Sequence, residues 1–82
     1  MARFFFDIDD GELATEDDEG LELDGLATAR DKAIAVLPNI ARDVLPDGDR
    51  RTFVVTVRDA RGAKVFRAVL DFEARWLVTP PA

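Results

Sequence analysis

From Val65 to Val78 the sequence alternates. Phe66, Ala68, Leu70, Phe72, Ala74, Trp76 and Val78 take every second position. Successive side chains of a strand point to opposite faces, so this spacing gathers all of them on one face. A helix would scatter them around its circumference. The backbone N–H and C=O groups of such a strand need neighbours, so the chain is committed to a sheet. The remaining residues must supply partner strands and cover one apolar face.

They divide readily. Residues 3–8 are aromatic-rich and read as a strand, with Phe4, Phe6 and Ile8 on one face and Arg3, Phe5 and Asp7 on the other. Asp9-Asp10-Gly11 is a turn signal, and residues 12–15 return as a short second strand. Leu21 and Leu23 alternate with Glu22 and Asp24, an extended lead into a helix. From Leu26 to Leu45, Leu26, Ala29, Ala33, Leu37, Ile40, Ala41 and Val44 recur at steps of three and four, which is one helical face. Asp24 is the expected N-cap. Pro38 predicts a kink or break near Ile34 to Leu37, and Pro46 ends the helix. Residues 52–58 form a clear strand, and Asp59-Ala60-Arg61-Gly62 is a hairpin connection.

The expected fold is α+β: a single domain over residues 1–78, ordered β-β-α-β-β, with an antiparallel sheet and one helix on one face. Pro80 and Pro81 end the order, leaving 79–82 as a disordered tail. The expected core is Phe4, Phe6, Ile8, Phe53, Val55, Val57, Phe66, Leu70 and Phe72 against the helical stripe. One helix leaves the other sheet face open, with Phe5, Val54, Val65 and Val69 beside Arg3, Thr56, Arg58 and Arg67.

Composition removes chemistries. The 82 residues include no Cys, His, Tyr, Ser or Gln. Disulfides, thiolate metal sites, Ser or Cys nucleophiles and a His general base are therefore unavailable. No Walker-type loop or G-x-G-x-x-G is present. No window approaches the length of apolar sequence a membrane helix needs, and the apolar run after Arg3 is too short for a signal segment. A secreted domain this small ordinarily carries disulfides, so the expected compartment is the cytoplasm. The chain is expected to have no catalytic role and no cofactor; an enzyme would have to rely on Asp and Glu chemistry.

Charge is uneven. Residues 1–24 hold ten acids and one base, Arg3, whereas residues 25–82 hold seven acids and ten bases. The acidic loops suggest a cation site built from Asp7, Asp9, Asp10, Asp17 and Asp18, and with it a cation- or ligand-responsive accessory domain. The pattern departs from a calcium loop. Counting from Asp7, Gly11 falls on the third ligand position and Asp18 on the twelfth. The competing reading is a solvated acidic edge. The basic residues Arg50, Arg51, Arg58, Arg61, Lys64 and Arg67 gather near the last hairpin, but the net charge of −6 opposes nucleic-acid binding, and none is expected.

The long alternation suggests association. The stretch from Val65 to Val78 outreaches residues 52–58, so Ala74 to Val78 would need a further strand, and Trp76 is a natural anchor. Phe5, Phe72, Ala74, Trp76 and Val78 are the interface candidates. The expected function is a small protein-interaction module whose partner is a second copy or another protein.

R-F-F-F-D at 3–7, D-D-G at 9–11, D-D-E-G at 17–20, L-A-T-A-R-D-K-A at 26–33 and V-x-V-R-D-A-R-G at 55–62 occur in that order. This set resembles a family of short uncharacterised bacterial proteins catalogued as a domain of unknown function. The resemblance covers nearly the whole chain and implies no activity. A looser likeness in fold links the sheet and the Ala29/Ala33 helix to HicB antitoxin-like domains, which bind a partner protein.

Overall fold

The computed structural model describes residues 1–81. Its elements are β1 (Ala2–Asp9), β2 (Ala14–Thr15), β3 (Leu21–Leu23), α1 (Leu26–Val44), β4 (Arg50–Arg58) and β5 (Lys64–Glu73). The fold is α+β, with α1 packed against one antiparallel five-stranded sheet. β4 lies between β1 and β5. β2 and β3 share the remaining edge of β1: Ile8 and Asp9 pair with β2, and Ala2 to Phe4 pair with β3.

Alternation sets the two faces. Phe4, Phe53, Val55 and Val57 are buried, and Phe6, Ile8, Phe66 and Ala68 pack partly against them. Ala29 and Ala33 are fully buried; such small side chains let α1 approach β4 closely. Leu37 completes the buried stripe. Two expected core residues sit less deeply. Leu70 is 37% exposed and Phe72 is half-buried, because among the described residues β5 has no neighbour on its outer side.

Three local expectations are corrected. The helix runs unbroken through Pro38, which is exposed on its outer side. The acceptor that Pro38 leaves unpaired is the carbonyl of the exposed Ile34, where water can reach it. Asp24 does not cap the helix. Gly25 occupies the cap position without a side-chain bond, and the Asp24 carboxylate accepts from the Thr28 hydroxyl instead.

The long strand also stops early. β5 ends at Glu73, opposite Arg50, and the last rung is Ala74 N–H donating to Asp49 O at 2.7 Å. Beyond it β4 offers no further backbone, so residues 74–78 are not a strand. Of the expected tail 79–82, Ala82 lies outside the described residues.

Candidate functional site

The two long sides of the sheet end differently. On one side, β1 is covered by chain that turns back on itself. Asp17 stands between β2 and β3 and fills the gap they leave. Its Oδ2 accepts the Phe6 N–H at 3.0 Å, as a neighbouring strand's carbonyl would. Its Oδ1 accepts the N–H groups of Glu19 and Gly20, both at 3.1 Å. Gly20 has φ of 74°, and a side chain there would meet Phe5 and Arg3 at 2.8–2.9 Å. The Asp-x-x-Gly spacing is thus a turn whose carboxylate serves as a rung of the ladder.

Asp7 and Arg58 lock this arrangement from the open face. The Arg58 guanidinium donates through Nε and Nη2 to both Asp7 oxygens, at 2.7 and 3.0 Å, and also to Asp17 O at 2.8 Å. Asp7 accepts the Asp17 N–H as well. Arg58 lies 5.0 Å over the Phe5 ring, so the guanidinium covers it. Phe5 is half-buried in β1 and is not brought near Phe72, Ala74, Trp76 or Val78.

The acids of this region hold on to their charge. The Arg58 hydrogen bond outweighs burial and holds Asp7 below the usual carboxylate range. Burial pushes Asp17 up, but the N–H groups of Phe6, Gly20 and Glu19 together with Arg58 carry it down. The Leu13 and Glu12 N–H groups lower Asp10. Asp7 in turn raises Arg58.

The acidic positions proposed for a cation are largely engaged in this way. Asp9 accepts the Gly11 N–H, and Asp10 accepts those of Glu12 and Leu13. Asp18 is exposed. Among the described residues no group of three or more acidic side chains is arranged to hold a metal ion. An open cleft of about 470 Å³ lies beside this loop, between Glu16 and the Thr56 and Arg67 side of the open face.

The opposite side is bare. β5 is ten residues long and, among the described residues, pairs only with β4. Val69 is 52% exposed on it, and after Glu73 come Trp76, Leu77 and Val78 at 60%, 89% and 71% exposure. Of the expected interface residues, Phe72 lies in β5 and is half-buried, and Ala74, Trp76 and Val78 come after the strand and are exposed. Arg58 and Asp17 were not marked as structural by the sequence. The one local signal was the Asp-x-x-Gly spacing at 17–20.

Among the described residues no helix is long and apolar enough to cross a membrane. A family model described as a domain of unknown function (DUF6894) matches residues 3–71, and the chain belongs to that family. No curated protein and no solved structure matches it. The matched stretch runs from within β1 to within β5 and stops short of Phe72 and the apolar residues beyond it.

Proposed function

We propose that this DUF6894 domain is a non-catalytic protein-interaction module that associates with a second copy of itself through the β5 side of the sheet. The observation that carries this reading is the unpaired ten-residue β5 running straight into exposed Trp76, Leu77 and Val78. Unpaired strand edges template pairing with another chain, and contiguous exposed apolar residues mark association surfaces. The shape agrees. The Cα radius of gyration is 15.4 Å, against about 12 Å for a compact chain of this length.

The acids support the non-catalytic part. General acid–base chemistry at neutral pH favours groups titrating near 7. Asp7, Asp10 and Asp17 are all displaced the other way, and each is occupied by hydrogen bonds that build the loop.

Light scattering over a concentration series tests the reading. The chain should show a dimer mass that falls toward monomer on dilution, and Trp76→Asp should give a folded monomer. A wild-type chain that is monomeric throughout overturns self-association. A folded Trp76→Asp variant of wild-type mass moves the contact away from the tail.

A further inference from the structure

Three charged residues of β5, Lys64, Arg67 and Asp71, form no salt bridge among the described residues, and two of them bond to β4 instead. Arg67 donates to the Thr56 hydroxyl at 3.2 Å, and Asp71 accepts from the Thr52 hydroxyl at 2.7 Å. Among the described residues neither takes part in a salt bridge, although Arg3, Arg30, Arg51, Arg58 and Arg75 all do. Arg67 and Asp71 lie on the same face as Val69, because they stand opposite Thr56, Thr52 and Val54 of β4. Val69 is midway between them.

We propose that two copies pair β5 to β5, antiparallel, about a two-fold axis through Val69. The inference rests on the self-association reading and supplies its register. Arg67 of each copy then faces the partner's Asp71, twice by symmetry. On the helix side Phe66 faces the partner's Phe72, and Ala68 faces the partner's Leu70. Leu70 stands beside the fully buried Phe53 yet stays 37% exposed, so its bare side is the one this pairing covers. The register sets no like charges directly opposite. Continued past Glu73, it brings Trp76 level with the partner's turn at Gly62, where the space a side chain would take is empty.

Neighbouring registers fit less well. A slip of one residue sets the helix side of one copy against the open face of the other. One two-residue slip leaves Arg67 opposite the partner's Val69 and Asp71 opposite the partner's Val65. The other keeps Arg67 against the partner's Glu73, but sets Asp71 against the partner's Val69 and parts Phe66 from the partner's Phe72. Opposite charges and aromatic pairs directly across a strand pair stabilise it, and like charges there destabilise it.

Charge reversal tests the register on the full chain. Arg67→Asp and Asp71→Arg each place like charges across both contacts and should weaken the dimer about tenfold. An equimolar mixture of the two variants sets opposite charges face to face again. It should regain wild-type affinity as a heterodimer. A wild-type dimer whose variants associate normally, or whose mixture gains nothing, overturns the register and leaves self-association standing. A wild-type monomer overturns both. Circular dichroism checks that each variant folds.

A second measurement is independent of those variants. The chain has no cysteine, so Val69→Cys with a short bismaleimide should link two copies at that position, while Leu13→Cys on the far side should not. Absence of the Val69→Cys link in a sample that is dimeric by mass overturns the register.

Discussion

The sheet has two sides and treats them oppositely. The β1 side is met by strands of two and three residues, interrupted by a carboxylate that takes the place of a carbonyl. No long ladder is available there to a foreign strand. The β5 side presents ten residues in one run, with no proline or bulge within the strand's length beyond the irregularity opposite Val57 and Arg58. Natural sheets blunt an edge with short strands, bulges, prolines or inward-pointing charges. This chain places its shortest strands and its carboxylate rung on one side. Asp7 and Asp17 thus close one edge of the sheet, while the β5 edge stays unpaired among the described residues.

Removing the closure should have the largest effect. Asp17→Ala strips an acceptor from the N–H groups of Phe6, Glu19 and Gly20. Hydrogen bonds to a charged group contribute about 1.5–3 kcal/mol, so urea unfolding of dilute protein should show a loss of about 2–3 kcal/mol. Asp71→Ala, on the bare side, should cost far less in the same assay. Equal losses would show that the two sides are not built differently.

Acid should act on the closed side next. Asp7 and Asp17 have folded pKa values below their ordinary 3.8. A depressed carboxylate contributes stability that is complete above its unfolded pKa and is lost as pH falls through the folded value. The melting temperature should therefore stay level from neutral pH to about 4.5 and fall below about 4. Asp17→Asn should melt lower at neutral pH and lose less on acidification. A variant with the full wild-type acid slope would place the acid sensitivity elsewhere. Arg58, raised from an already high value, stays charged throughout this range.

Much of this contrast was legible in the sequence, and the illegible part has physical reasons. Strand faces follow from period two, so Phe4, Phe53, Val55 and Val57 were identifiable as core, and the Ala29–Ala33–Leu37 stripe followed from period 3.6. The turn at Asp59 to Gly62 was readable because its signals are local. The Arg58 contacts were not, since they join residues 41 and 51 positions apart and leave no local pattern. Periodicity also misled at the C-terminus. It reports which face a residue would take in a strand and nothing about whether a partner backbone is present, so the alternation continued to Val78 while β5 stopped at Glu73. Pro38 and Asp24 show the reverse: strong local preferences gave way where the freed carbonyl belongs to an exposed residue and where Thr28 drew the carboxylate aside.

Trp76 should matter least to the isolated chain. Trp76 is 60% exposed and follows the last rung of the ladder. In the separated chain it covers little of the core, and surface substitutions of this kind usually change stability by less than about 0.5 kcal/mol. Trp76→Asp should therefore unfold in urea with the wild-type midpoint when both are dilute enough to be monomeric. At higher concentration the two should part, because association adds stability only to the chain that dimerises. A midpoint that is lower even at high dilution would mean that the indole packs on its own domain. A gap that opens only with concentration ties the exposed tail to association.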